Sequence, residues 1–435
     1  MDGTRLTELK RVMGLGHATA MVVGTIIGAS IFVQPSEITR QVPSITGVFL
    51  AWAVAGLLTF CGALACAELA SAFPQTGGVY VFLRETYSPA LGFLWGWAMF
   101  WSMHTGIIAA IAVIFARYVG YFVRLDEIGA RLVAIGGILV LSGINYAGVK
   151  QGSRVQALFT LGKGIAVVAI LLLLTLGSSG VSAGGAAAGH RIPVHKFALA
   201  VAAGLFAFGG WHMVTYTAGE TRRPERTIPL ALMIGTLVVT ACYVALNAAY
   251  FHVLPLEQVV SSTRVAADAA ETLFGTGGGG AVSALVIFST FGALSGIVLA
   301  GPRVYFAMAR DGVLFSWIAA VHPRFQTPHR AIMLQAVWAS MLVATGSYRA
   351  LFTRVIYTEW IFFGLMVLGL FLLRRRPDYA PAYRTWGYPV LPAIFIVASL
   401  FIVLNQIASD PRESAIGLGL VALGWPAYYF WGAKS

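Results

Sequence analysis

The sequence predicts an all-α polytopic membrane protein, and three observations carry that prediction. Of the 435 residues 58% are hydrophobic and 11% charged, with a mean hydropathy of +0.80, far too little polar surface to cover a soluble globule. Apolar runs long enough to cross hydrocarbon recur about twelve times, at roughly 13–38, 47–72, 91–122, 131–149, 155–177, 197–219, 228–253, 281–309, 331–346, 352–373, 388–408 and 414–431. Two of those runs, the first and the sixth, carry glycines at mid-span where a lipid-facing helix wants neither a missing side chain nor a loose backbone.

Span one follows a short polar tail, Met1 to Lys10, which leaves no room for a soluble domain, and the span is too long and too interrupted for a signal peptide. It contains Gly24-Thr25-Ile26-Ile27-Gly28-Ala29-Ser30-Ile31-Phe32. A break here would leave amides at the start of a half-helix, suited to a carboxylate, and carbonyls suited to a cation or an ammonium group. An amino acid carries both charges. Close packing of an unbroken helix explains two glycines equally well, and it is the second interruption that tips the balance.

Span two ends in Ala65-Cys66-Ala67-Glu68-Leu69-Ala70, and a carboxylate that deep calls for a basic partner across an inner gate. Span three is aromatic, with Trp95, Trp97 and Trp101, and its His104 reads as a hydrogen-bonded packing residue. Span four closes on Asn145-Tyr146-Ala147-Gly148. Lys163 lies about two turns inside span five. An ammonium at that depth needs carbonyl or carboxylate partners and reads as functional.

A Gly/Ala/Ser stretch from Gly177 to Gly189 then separates the two halves as an outside linker. Span six repeats the opening anomaly in Phe206-Ala207-Phe208-Gly209-Gly210-Trp211-His212. Paired interruptions in corresponding helices are the pattern of an inverted-repeat transporter. Pro255 to Gly280 suits an outside surface helix, either a lid or an idle connector. In span eight the small residues Ser289 to Gly296, Ser295 among them, allow close approach to span one. Span ten holds Glu359 beside Trp360, while spans eleven and twelve carry no charge at their centres and look like scaffold or an oligomer surface.

The formal charge of +12 is topological. With the N-terminus cytoplasmic, about eighteen Lys/Arg fall inside and about nine outside. Arg222, Arg223 and Arg226, then Arg310, Arg324 and Arg330, then Arg374, Arg375 and Arg376 all fall on the inner side. A nucleic-acid partner is not supported. Cys61, Cys66 and Cys242 all fall within spans, so neither a disulfide framework nor a metal site is indicated. There is no His-Glu-x-x-His and no Walker loop to suggest an enzyme.

In these motifs the sequence resembles the amino acid, polyamine and organocation transporter superfamily, closest to its L-type amino acid transporter branch. The anchors are Gly24 to Phe32, Phe206 to Trp211, Arg154-Val155-Gln156 leading to Lys163, and Gly292-Ala293-Leu294-Ser295 with Arg310-Asp311-Gly312. The resemblance implies twelve transmembrane helices in a LeuT-like fold of five plus five inverted spans and two more. Helices one and six are then unwound. Its parts would be a first repeat at 1–177, an external linker at 178–196, a second repeat at 197–373 and a terminal pair of helices at 374–435.

The same resemblance implies a sodium-independent exchanger of L-amino acids, without cofactor or metal, in the inner (plasma) membrane with both termini cytoplasmic. The substrate carboxylate would sit on the amides of Gly28, Ala29 and Ser30, and its ammonium on the carbonyls of Ile26, Phe206 and Gly209. Phe206 would be the gate, Trp211, Ser295 and Glu359 would complete the site, and Lys163 would occupy the place of a sodium ion. Ser30 stands where the family has glycine, and His212 and Glu359 stand where animal relatives have asparagine. Phe208, Trp211 and the span-three aromatics favour neutral side chains, whereas an ionised Glu359 would favour cationic amino acids or polyamines taken up with protons. Animal exchangers hold a glycoprotein partner through an outside cysteine, which this chain lacks, so the resemblance implies a stand-alone carrier.

Overall fold

The computed structural model describes residues 13–75, 77–147, 162, 164–165, 167–176, 192–325, 327–346 and 348–432, and among them the regular structure is helical. An isolated bridge between Met13 and Thr221 stands in place of any strand there. Eight helices are long and apolar enough to cross a membrane. They are Ile45–Ala72, Pro89–Val119, Glu127–Tyr146, Val194–Ala218, Pro224–Val253, Val265–Phe306, Val355–Leu373 and Val390–Ser409. The remaining apolar segments are shorter pieces. Leu15–Ile26 is a helix of 12 residues, His329–Thr345 one of 17, and the chain's last apolar run divides into Pro411–Ala422 and Gly424–Gly432.

In chain order the helices used below are α1 (Leu15–Ile26), α2 (Gln34–Gln41), α3 (Ile45–Ala72), α4 (Val79–Thr86) and α5 (Pro89–Ala98), which passes through a π-helical turn (Met99–Met103) into α6 (His104–Val119). There follow α7 (Glu127–Tyr146), α8 (Val167–Leu176), α9 (Val194–Ala207), α10 (Pro224–Val253), α11 (Leu256–Ser261) and α12 (Val265–Arg310). The last are α13 (His329–Thr345), α14 (Tyr348–Leu373), α15 (Val390–Ser409), α16 (Pro411–Ala422) and α17 (Gly424–Gly432).

Local chemistry sets where these helices start. Ser88 and Asp410 each precede a proline at the first helical position and accept a backbone N–H, from Leu91 and Glu413 respectively, and Asp126 caps α7 through Gly129 N at 2.7 Å. α12 is two helices joined at Gly275, whose φ of 66° is open to glycine without strain. The Pro255–Gly280 stretch is accordingly helical, as α11 and the start of α12. It is fastened to α2, where Arg40 Nε donates to Val260 O at 2.8 Å and Ser36 Oγ to Ser262 O at 2.8 Å.

Apolar side chains on the outer faces remain exposed, among them Leu132 and Leu139 of α7, Val337 of α13, and Val397, Leu400 and Leu404 of α15. Such faces suit hydrocarbon rather than water, and with the apolar helices they make this a multi-pass membrane protein. At one end of the bundle the carboxylate of Glu68 accepts two N–H groups from one edge of the Arg374 guanidinium, Nε at 2.9 Å and Nη2 at 2.6 Å, so the deep carboxylate does have its base.

Candidate functional site

Two interruptions of backbone hydrogen bonding meet at the centre. α1 stops at Ile26. Ile27 N still donates to Val23 O at 2.8 Å, but its ψ of 88° leaves the helix, and the chain resumes as a single 3-10 turn, Ser30–Phe32. The amides of Gly28, Ala29 and Ser30 have no acceptor among the described residues. α9 stops at Ala207, turns through Phe208 and Gly209 to Gly210 at a left-handed φ of 98°, and continues as the 3-10 segment Trp211–Glu220.

The two interruptions touch. Thr25 Oγ1 is 3.1 Å from Gly210 O while also lying 2.9 Å from Met21 O in its own helix. Tyr243 of α10 places its hydroxyl 2.9 Å from Ile26 O and 2.9 Å from Ala207 O, the last helical carbonyls before each break. One proton serves one carbonyl at a time, so this phenol can pass between the two breaks. Tyr243 is fully buried and stacks edge-on against Trp52 at 5.4 Å. Replacing it with Phe leaves both carbonyls without that donor, at a cost of about 1–3 kcal/mol for an unsatisfied buried group. A lowered unfolding temperature of the detergent-solubilised Tyr243→Phe protein is expected, and an unchanged one would show that the bridge contributes nothing.

The side chains singled out in the sequence fall around these breaks as follows. Ile26, Gly28, Ala29 and Ser30 are buried at the first break, and a Cβ placed on Gly28 would meet Ala293 of α12 at 3.7 Å. Ser295 is buried two residues further along α12. Phe206 is buried at the end of α9, and its carbonyl already accepts Gly209 N at 3.0 Å. The Ile26 carbonyl shares the Tyr243 hydroxyl with Ala207 O, so it has both lone pairs free for an ammonium when that proton turns to Ala207, whereas Phe206 O has only its second.

Beyond Gly210, the Trp211 ring lies 5.0 Å from Phe363 of α14, and His212 lies 5.0 Å from Phe363 and 5.8 Å from Trp95. Glu359, one turn before Phe363 on the same face of α14, is buried. His104 is a packing residue tied by Nε2 to Ile297 O at 2.8 Å, joining α6 to α12. Lys163 lies outside the described residues. Thr25 and Tyr243 were not singled out in the sequence. An open apolar groove of about 600 Å³ between α8 and α10, lined by residues including Leu171, Thr175, Ala245 and His252, takes in none of these side chains. Among the described residues no three His, Cys, Asp or Glu come together to hold a metal ion.

Comparison with known proteins decides the family. The profile of the amino acid permeases matches residues 13–423, almost the whole chain. The chain belongs to the amino acid permease family. The serine/threonine exchanger SteT of Bacillus subtilis is 33% identical over 426 residues, covering 97% of both chains. The human cystine/glutamate transporter is 31% identical over 98% of this chain and 86% of its own length. The human b(0,+)-type amino acid transporter 1 is 30% identical over 98% and 88%. These matches agree with the resemblance to the L-type branch of the superfamily and make this permease a transport protein, not an enzyme.

Proposed function

We propose that this permease is a secondary active amino acid transporter: a sodium-independent exchanger of neutral L-amino acids that works by alternating access. The observation that carries the reading is the pair of touching backbone breaks, which offers three unpartnered amides at Gly28, Ala29 and Ser30 to a carboxylate beside the carbonyls of Ile26, Phe206 and Gly209 for an ammonium. In this reading α1 and α9 are the unwound first and sixth helices of a twelve-helix LeuT-like inverted repeat. The repeats are 1–177 and 197–373, joined by the linker 178–196 and followed by two helices in 374–435. Phe206 is the gate, Trp211 and Ser295 line the pocket, and Lys163 takes the place of a sodium ion. The aromatic wall of Trp95, Trp211 and Phe363 favours apolar side chains.

The carrier sits in the plasma membrane with both termini cytoplasmic, as the distribution of Lys and Arg supports. It works without cofactor or metal, and without a disulfide-linked subunit, which the placement of Cys61, Cys66 and Cys242 within the apolar helices α3 and α10 supports. A second reading, proton-coupled uptake of cationic amino acids or polyamines, is favoured by one observation, the buried carboxyl of Glu359.

Counterflow in proteoliposomes tests both. Labelled leucine is expected to enter sodium-free vesicles only when unlabelled amino acid is inside, and Lys163→Ala is expected to remove most of that flux while the purified variant keeps its unfolding temperature. Entry into empty vesicles driven by a pH gradient alone would replace exchange with proton symport, and full activity of Lys163→Ala would make the lysine structural.

A further inference from the structure

We propose that Glu359 trades its proton for a cationic side chain, so that one site carries neutral amino acids with Glu359 protonated and lysine-like amino acids with it ionised. This rests on the breaks being the amino acid site. Glu359 is 4% exposed, and among the described residues it has neither an ion-pair nor a hydrogen-bond partner. Glu68 is buried as deeply yet is held by Arg374 and by Thr385 N at 2.7 Å. The contrast decides the assignment. A buried carboxylate without a counter-charge is costly, its protonated form is not, and a ligand ammonium can replace the proton.

Its position points the same way. Phe363, one turn along α14, packs on Trp211 and His212 directly after the second break, and Tyr216 of the same 3-10 segment lies within electrostatic reach of Glu359. Ser102 of the π-helical turn meets the adjacent Thr358 at 3.3 Å.

Among the described residues, the ionisable groups linked electrostatically to this cluster from the surrounding elements include no standing cation: they are His212 and Tyr216 on the 3-10 segment, His104 on α6, Cys66 on α3 and Tyr305 on α12. The two histidines lie in apolar burial, and among the described residues His212 Nδ1 has no partner. α15 has no ionisable residue. Arg84 and Glu85 of α4 pair with each other near Arg376, about 25 Å along α14. His195 and Lys196 stand at the far end of α9, about 20 Å from its break. Glu413 of α16 meets α14 through Tyr357, on the side turned away from Glu359, beside Arg412. On α14 itself the nearest ionisable residues in sequence are Arg354 and Tyr357.

When a cationic side chain enters, the Glu359 proton leaves to whichever aqueous side the site then faces. The net charge of the loaded site is the same for both substrate classes.

The first test uses the unaltered purified protein in weakly buffered detergent near pH 7. Lysine binding is expected to release about one proton per site and leucine binding none. The second measures lysine and leucine competition for labelled leucine between pH 5.5 and 8.5. Lysine should compete better as pH rises, and Glu359→Gln should shift the lysine-to-leucine ratio against lysine by about tenfold or more and flatten its pH dependence. Lysine binding without proton release, failure of lysine to compete at any of these pH values, or a Glu359→Gln ratio and pH profile like the parent's, would each overturn the proposal while leaving leucine exchange standing. Absence of leucine exchange in the parent would instead remove the transport reading on which it rests.

Discussion

Replacing Arg374 with alanine is expected to destabilise the protein by about 3–5 kcal/mol, the cost of leaving a buried carboxylate without its counter-ion. The partner side chains are 17% and 1% exposed for Arg374 and Glu68, so solvent cannot compensate Glu68 once the guanidinium is gone. Geometry makes this pair stronger than a single contact. The pair is bidentate, Nε and Nη2 each donating to a different oxygen of Glu68, Thr385 N donates to Glu68 Oε2 at 2.7 Å, and the guanidinium carbon lies 3.8 Å from the centre of the Tyr388 ring. Thr385 Oγ1 also donates to Leu64 O and Tyr383 N to Ser71 Oγ. The connection after α14 is thereby fastened along the last two turns of α3.

Removing the charge of Glu68 should cost a similar amount, and the two losses should not add, because each single change strands the same pair. Thermal unfolding of Arg374→Ala, Glu68→Ala and the double variant in detergent provides the cycle. A coupling near zero would mean that the connection is held by its neighbours and that the ion pair is incidental.

The need for this base was legible in the sequence, since a glutamate near the end of an apolar span reads as paired. Its identity was not, because Arg374 is 306 residues away and three consecutive arginines at 374–376 compete for the role. The glycine-rich stretches were legible for a different reason, namely that a missing side chain at mid-span stands out against an otherwise apolar run.

What joins the breaks was hidden, because Tyr243 in an apolar span reads as core. A signal was nonetheless present. Tyr243, Asn247 and Tyr250 recur at helical spacing on one face of α10, all fully buried, and Asn247 Nδ2 donates back to Tyr243 O at 2.8 Å. A polar stripe of that kind on a membrane helix marks the side that faces protein. The full-length spans were legible in outline, whereas the pieces were not: apolar content is continuous through 13–38, while the helix within it ends at Ile26 because backbone direction, unlike hydropathy, changes at single residues.

The direction change at Gly210 is where substitution should do most damage to transport. Its φ of 98° is a left-handed conformation that a β-branched side chain resists, at about 1–2 kcal/mol. A Cβ there would also lie 2.9 Å from Thr25 O and 3.2 Å from Thr25 C. Those are backbone atoms of the other break, which no rotamer change can move aside, and overpacking of this kind costs about 1–3 kcal/mol. Gly210→Val is therefore expected to push α1 and the 3-10 segment apart and to lower counterflow by about a hundredfold or more, each 1.4 kcal/mol being worth a factor of ten. Gly28→Ala supplies the contrast, because its Cβ would find Ala293 Cβ and Ile26 O at an ordinary 3.7 Å, and it should keep the parent's unfolding temperature. If Gly210→Val exchanges amino acids at the parent's rate, the contact between the two breaks is not where the substrate is held, and a site elsewhere in the bundle has to be sought.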